Sequence, residues 1–173
     1  MHSIIIGFIK YTYHEERVSY ADAQNRCQTE GQSLAMPKSE AEHQAMLLAK
    51  PQDFEKWIWL GMDDIVKEGE WVFNDGTKLN WPDDGSGDTW ARWVDGNPDN
   101  WNASGRYPEG EDCVKVATFG TSNEWNDASC TGMNSFACQG YTGMYMYEDE
   151  SIPVIPLLYR VSIIWPVRSK QFS

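Results

Sequence analysis

The sequence is poor in basic residues. Lys and Arg number 14 against 26 Asp and Glu, and the formal net charge over 173 residues is −12. Phosphate binding needs Lys and Arg to displace counterions, so a nucleic-acid partner is not expected. The same shortage disfavours an anionic membrane surface. Long apolar runs are lacking too. Ile4–Ile9 is interrupted by Gly7, and no basic n-region or small-residue cleavage site accompanies it. It does not read as a leader, so a secreted form of this chain is expected to have lost one already. Ile152–Val167 is broken by Pro153, Pro156, Arg160 and Pro166. It falls short of the ~20 residues that span a bilayer, so no transmembrane segment is expected. Histidine is scarce, and His2, His14 and His43 lie away from the acidic clusters described below. They are expected at the surface or in helix packing. No Cys-x-x-Cys pair occurs, which argues against a thiolate zinc site or a thioredoxin-type motif. No internal repeat is present.

Four cysteines are present: Cys27, Cys113, Cys130 and Cys138. An even number in a small, loop-rich acidic chain points to disulfides and an oxidising, extracellular compartment. Four cysteines allow three pairings, and spacing does not choose among them. Hydrophobic residues make up 41% and aromatics 13%, so the chain can build a core and is not disordered. Nine Trp give a large apolar payload, each with one N–H to place. The length suits one domain with an extension.

Tyr11–Tyr13 alternates as a strand does. Ser19 reads as a helix N-cap, Tyr20, Ala23 and Cys27 share one helical face, and Gly31 ends the pattern. A second helix is expected from Ser39, with Glu42 completing a capping box and Pro51 beyond its end. Trp57–Leu60, Trp71–Phe73, Cys113–Ala117 and Phe136–Gln139 read as short strands, with a turn at Asn74-Asp75-Gly76. Between Asn80 and Gly110 the chain is mostly Asp, Asn, Gly, Pro, Ser and Trp, without periodicity. Irregular segments of that length inside a compact domain are usually functional or disordered. Trp81, Trp90, Trp93 and Trp101 are expected to supply a small satellite core. Asp83-Asp84-Gly85-Ser86-Gly87-Asp88 reads as a mobile polar loop, since it lacks the terminal Glu and flanking helices of a calcium hand.

Two clusters carry the chemistry. The first is Gly96-Asn97-Pro98-Asp99-Asn100-Trp101. The second is Glu111-Asp112-Cys113 with Trp125-Asn126-Asp127 and Cys130. A proline between two oxygen-bearing residues can take a cis peptide at about 0.5–1 kcal/mol, and this turns the flanking side chains to one side. Asn97 and Asp99 can then offer two oxygens to one ion, with Glu111, Asn126 and Asp127 completing the cage. Asp, Glu and Asn oxygens are what Ca²⁺ takes, six to eight of them at ~2.3–2.6 Å.

These residues resemble the C-type lectin-like domain family. The two early helices, Trp57-Ile58-Trp59-Leu60-Gly61, the proline triplet, Glu111-Asp112-Cys113, Trp125-Asn126-Asp127 and all four cysteines occur in the family's order, over roughly Tyr11 to Gln139. The resemblance implies an α+β fold of two helices plus small antiparallel sheets, with a long calcium-stabilised loop. It implies disulfides Cys27–Cys138 and Cys113–Cys130, in the short form of the domain. The primary calcium site falls on Asn97, Asp99, Glu111, Asn126 and Asp127. A second falls on Asp64, Glu68, Asn100, Glu111 and Asp112, with Asn100 in place of a carboxylate. In sugar-binding members the primary ion takes two vicinal hydroxyls, which its ligand side chains also hydrogen-bond. Mannose-type members carry Glu-Pro-Asn and galactose-type members Gln-Pro-Asp. Asn97-Pro98-Asp99 has the galactose-type polarity, amide first and acid second. Asn97 is one methylene shorter than Gln, so its oxygen falls ~1.5 Å short of the ion unless the loop moves inward.

In galactose-type members an aromatic residue after the triplet packs on the sugar's apolar face, and Trp101 stands at that place. Sugar contacts are thus expected from Asn97, Asp99, Trp101, Glu111 and Asn126, whereas Trp125 reads as core. Asn102-Ala103-Ser104 is a glycosylation sequon within a lengthened loop. Without cations the loop is expected to fray under its own repulsion.

The expected organisation is an apolar strand extension at 1–10, the carbohydrate-recognition domain at 11–140 and a C-terminal extension at 141–173. Ile4–Lys10 and Tyr159–Trp165 can pair as strands or form an interface, and self-association into a homo-oligomer is favoured. The leading function is a secreted, calcium-dependent lectin for terminal galactose or GalNAc. The alternative is a protein- or ice-binding module on the same scaffold. A glycosidase is disfavoured, because cation ligation accounts for the acids and no protonated partner stands out.

Overall fold

The computed structural model describes residues 3–80, 90–101, 109–119 and 123–148. Trp81, the Asp83–Asp88 loop, the Asn102–Ser104 sequon, His2 and the strand expected at Tyr159–Trp165 lie outside the described residues. The elements in chain order are β1 (Ser3–Val18), α1 (Tyr20–Thr29), β2 (Ser33–Leu34), α2 (Glu40–Leu48), β3 (Trp57–Asp63), β4 (Val72–Phe73), β5 (Cys113–Ala117), β6 (Trp125–Ala128) and β7 (Asn134–Glu148). Gly7–Met144 form one compact unit; residues 3–6 and 145–148, extended at the outer ends of β1 and β7, belong to another. β1 runs without a break across the junction expected between residues 10 and 11.

Both helices start where their caps dictate. Ser19 Oγ accepts from the Asp22 N–H, and Ser39 Oγ from the Glu42 N–H. Each such cap contributes about 1 kcal/mol. The return bond of the second cap differs from the expected box: the Glu42 carboxylate accepts from the Lys38 N–H at 2.8 Å, one residue before the cap. α1 buries Tyr20, Ala23 and Cys27, the face its sequence spacing predicts. At Asn74–Gly76 the Gly76 N–H bonds the Phe73 carbonyl, with Gly76 at φ +84.

The strands join in one mixed sheet, where separate antiparallel sheets were expected. The path runs β1-β7-β3-β5-β6, with β2 on β7 and β4 on β3. β3 pairs antiparallel with β5 and parallel with β7. A parallel pair needs a long crossover, and the chain from β3 to β7 contains the whole irregular segment. Alternation along β3 divides the core. Ile58, Leu60 and Met62 pack with Met46 and Leu47 of α2 and with Val114 and Val116 of β5. Trp59 packs with Tyr20, Ala23 and Cys27 of α1 and with Phe136 and Cys138 of β7. Strands covered on both faces read as near-continuous apolar runs, which is why Trp57–Leu60 stands out in the sequence, and Cys113–Ala117 apart from Lys115.

The disulfides are Cys27–Cys138, tying α1 to β7, and Cys113–Cys130, tying the start of β5 to the chain after β6. Among the described residues, Trp90 and Trp93 do not form a separate satellite core. Trp90 and Trp93 pack edge-on against the fully buried Trp125, at 5.3 and 5.9 Å between centroids, and join the main cluster. The physical reason is pairing: Arg92 and Val94 exchange main-chain hydrogen bonds with Trp125, which draws this part of the irregular segment onto β6. His43 is buried beside the same rings, with Nε2 3.1 Å from the Asn123 carbonyl and Nδ1 accepting from Trp125 Nε1 at 3.4 Å.

Candidate functional site

Pairing of Arg92–Val94 with Trp125 delivers the next residues, Gly96–Trp101, to the side of Asn126 and Asp127 on β6. Gly96 turns the chain at φ +88, and the Asn97 N–H bonds the Val94 carbonyl at 2.9 Å. The Asn97–Pro98 peptide is cis, the form expected of the triplet. Asp127 Oδ2 then accepts from the Asp99 N–H at 2.9 Å and from the Asn100 N–H at 2.7 Å. One carboxylate oxygen therefore fastens the triplet to the sheet.

Asn100 fastens the other side. Its Oδ1 accepts from the Glu111 N–H at 2.8 Å, and its Nδ2 donates to Glu68 Oε2 at 2.7 Å. Asn100 has φ +45, a conformation Asn tolerates better than most side chains. Gly110, at φ +87, leaves room for this amide, since a Cβ there would stand 2.3 Å from Asn100 Oδ1.

The result is an all-oxygen cluster. Asp99, Glu111 and Asp127 each bring a carboxylate oxygen to within 4.8 Å of the others. Asp127 is fully buried, and its Oδ1 has no hydrogen-bond partner. Burial raises the Asp127 pKa above the ordinary carboxylate value, and repulsion from Asp99 adds to this, against the N–H donors on Oδ2. Burial also raises that of Glu111, with Asp127 and Asp99 adding repulsion while Lys115 and the Trp101 N–H oppose it. An orphaned buried carboxylate oxygen costs free energy, and like charges at this distance repel. A hard divalent cation meets both demands, so these residues fit one.

The residues of the second expected set lie close by. The Asp64 N–H bonds the Asp112 carbonyl at 3.1 Å, and Asp64 Oδ2 accepts from the Gly69 N–H at 2.8 Å. Asp64 Oδ1 is buried without a partner. Burial, with Glu68 and Asp112 repelling, pushes the Asp64 carboxyl up to about 7. This set differs from the first in one respect. Among the described residues its acids do not converge as a trio at the same short range, and the Asn100 amide bridges Glu68 and the Glu111 main chain. Asn126 lies on β6 with its amide donating to the Asp127 carbonyl, and Trp101 is 59% exposed beside the cluster's loop. A third candidate group, His14, Glu30 and Cys138, loses its sulfur to the Cys27–Cys138 bond.

Sequence reasoning overlooked Lys115. It lies on β5 directly opposite Asn126 on β6. Glu111 and Asp127 act on its charge, and its ammonium lies 5.0 Å from the Trp57 ring centroid. Its signal was a lone charge inside the apolar strand Cys113–Ala117.

A two-helix, mixed-sheet scaffold that pins a proline-containing acidic loop to one strand defines the class. A family model described as the lectin C-type domain matches residues 16–140, and the chain belongs to that family. Cow (Bos taurus) collectin-11 is 31% identical over 129 residues, covering 75% of this chain and 42% of that protein. Rat (Rattus norvegicus) asialoglycoprotein receptor 2 is 30% identical over 131 residues, covering 75% of this chain and 38% of that protein. The chain therefore spans less than half the length of these curated relatives. Among solved structures, the carbohydrate-recognition domain of the mouse scavenger receptor C-type lectin superposes with a TM-score of 0.63 at 27% identity, covering 80% of this chain and 95% of that one. Among the described residues no helix is long and apolar enough to cross a membrane.

Proposed function

We propose that this chain is a calcium-dependent carbohydrate-binding module for terminal galactose or GalNAc, acting outside the cell. The observation that carries the reading is Asp127: one oxygen binds the Asp99 and Asn100 N–H groups, while the other is buried, unpartnered and close to Asp99 and Glu111. Asn97, Asp99, Glu111, Asn126 and Asp127 would hold the ion. Asp64, Glu68, Asn100, Glu111 and Asp112 would hold a second that stiffens the loop. A bound calcium supplies open coordination positions for a pair of sugar hydroxyls. The chain's own groups do the rest. Carboxylates of Asp99 and Glu111 accept hydrogen bonds from hydroxyls, and the amides of Asn97 and Asn126 donate to them. The amide-first, acid-second order of Asn97 and Asp99 supports galactose over mannose. The exposed Trp101 indole offers a rigid apolar face to the sugar ring.

One shallow site binds weakly, so several copies in a homo-oligomer would supply avidity. Two disulfides suit an oxidising, extracellular setting. The test is retention on immobilised galactose and on immobilised mannose, with calcium and then with a chelator. Retention on galactose alone, released by the chelator and lost in Asp99→Ala, is the expected result. Trp101→Ala is expected to weaken galactose retention more than calcium binding. Retention that ignores the chelator would refute the reading.

A further inference from the structure

Lys115 lies opposite Asn126, feels the charges of Glu111 and Asp127, and has no role in the ion reading. The antiparallel registers place Trp59 of β3 and Asn126 of β6 directly opposite it on either side, and Trp57 opposite Ala117. Directly opposite residues share a sheet face, and so do residues two apart along a strand. Asn126, Lys115 and Trp57 therefore form a row leading away from the cluster on one face. Beyond it, Trp57 meets Phe119 edge-on at 5.5 Å, and the two rings are 37% and 38% exposed.

The ammonium in that row is poorly matched. Lys115 is half-buried and, among the described residues, forms no ion pair. Its ammonium stands over the Trp57 ring face, 5.0 Å from the centroid. The charges acting on it belong to Glu111 and Asp127. Those are also two of the three carboxylates that converge as a cation site. A cation held there takes up their charge, and Lys115 is left with an aromatic face alone. A half-desolvated ammonium in that position favours an incoming anion, because a charge-assisted hydrogen bond is about twice as strong as a neutral one.

We propose that Lys115 determines specificity at an anionic subsite beside the sugar, selecting saccharides that carry a sulfate ester or a carboxylate next to the ring held at the Asp99–Glu111–Asp127 cluster. Trp57 and Phe119 form the apolar floor beyond it. The inference rests on the carbohydrate-binding reading of that cluster. Lysine presents a point charge rather than a planar fork, so the subsite accepts either anion and does not demand bidentate geometry.

The test uses the full chain at fixed free calcium. Methyl galactoside, galactose 6-sulfate and galacturonic acid are titrated as competitors of retention on galactose, at low and high sodium chloride. At low salt at least one anionic sugar is expected to compete about tenfold better than the neutral one. Which of the two gains identifies the group. The advantage is expected to shrink at high salt, as screening requires. Lys115→Gln should bring the anionic-to-neutral ratio to about one, and Lys115→Arg should keep most of it. A lysine needed only for folding would not move that ratio. A wild-type ratio near one, with neutral galactose still competing, overturns the subsite and leaves the lectin reading intact. A ratio unchanged in Lys115→Gln also overturns it. If none of the three sugars competes and nothing is retained on galactose, the carbohydrate reading fails and takes the subsite with it.

Discussion

Asp127→Asn separates the ion-binding role of this side chain from its structural one. The carboxylate does two jobs with two atoms. Oδ2 accepts from the Asp99 and Asn100 N–H groups, and Oδ1 is buried with no partner. Asparagine can keep its oxygen on the two N–H donors, so the loop anchor survives. Its NH2 then occupies the place of Oδ1 and offers a cation no lone pair. The substitution also removes one charge from a set of oxygens within 4.8 Å of each other. Relief of that repulsion amounts to about 1 kcal/mol at the dielectric of water and about 3 kcal/mol at an effective value near 20. The placed NH2 group can donate to a neighbouring carboxylate and so avoids most of the cost of an unmade bond. In a chelator the variant is therefore expected to melt at or a few degrees above the wild type. With calcium at a hundred times its Kd, the wild type should gain about 2.7 kcal/mol. For a domain of this size that is a rise of about 5–10 °C. The variant should lose nearly all of this rise. Scanning calorimetry of both proteins, with chelator and with calcium, gives the four melting temperatures needed. A variant that melts far below the wild type in chelator would show the charge to be structural. A full calcium shift in the variant would place the ion elsewhere.

Asp64 predicts a pH dependence for the calcium-free protein. Its folded carboxyl titrates at about 7, above the ordinary 3.8, chiefly through burial. The folded state thus holds this proton more tightly than the unfolded chain does. The associated stability is present at low pH and lost as pH rises through about 7, by at most about 4 kcal/mol. Urea unfolding in chelator should show a wild-type decline between pH 5 and pH 8 that Asp64→Asn flattens; parallel curves would refute it. Gly110→Ala should push a methyl group against Asn100 Oδ1, where only 2.3 Å is available, at a residue with φ +87. The expected outcome is about 1–2 kcal/mol of destabilisation for the left-handed backbone and weaker calcium binding, read by calcium titration. Replacing Cys27 and Cys138 by Ala opens a closure of 111 residues, against 17 for Cys113 and Cys130. Chain entropy assigns the first about 4.7 kcal/mol and the second about 3 kcal/mol, so the first double variant should have the lower urea midpoint.

The parts of the fold that follow from local chemistry were legible in the sequence. Ser19 and Ser39 announce helices because a hydroxyl there satisfies an orphan N–H, and both do so. Cys113–Ala117 stands out because four of its five residues are apolar and buried, Lys115 alone being charged and half-buried. β6 was harder to see. Asn126 and Asp127 occupy the middle of a four-residue strand, and their polarity suits the candidate site rather than the sheet. The polar residues His14, Glu15, Glu16 and Arg17 likewise hide the far end of β1. Asn97, Asp99 and Asn100 beside Pro98 were visible as a group, but their convergence with Glu111 and Asp127 depends on the Trp125 pairing and the Asn100 bridges. Those are long-range contacts with no local signature. The disulfide pairing came from the family resemblance, since spacing alone left three choices.

The expectation that repulsion frays the acidic loop treats its charges as unopposed. The hydrogen bonds argue for a more divided state. Asp127 Oδ2 and the Asn100 amide together take three main-chain N–H groups and the Glu68 carboxylate. These contacts, all between the chain's own groups, join the triplet, β6, Gly110–Glu111 and the chain after β3. What they leave unsatisfied is narrow: Asp127 Oδ1, Asp64 Oδ1 and the mutual repulsion of Asp99, Glu111 and Asp127. A cation at the cluster would neutralise those residual charges, while the hydrogen bonds hold the backbone around it. That division limits the ordering entropy opposed to ion binding. It also makes the loop residues that carry no acid, Asn100 and Gly110 first among them, as important to affinity as the carboxylates themselves.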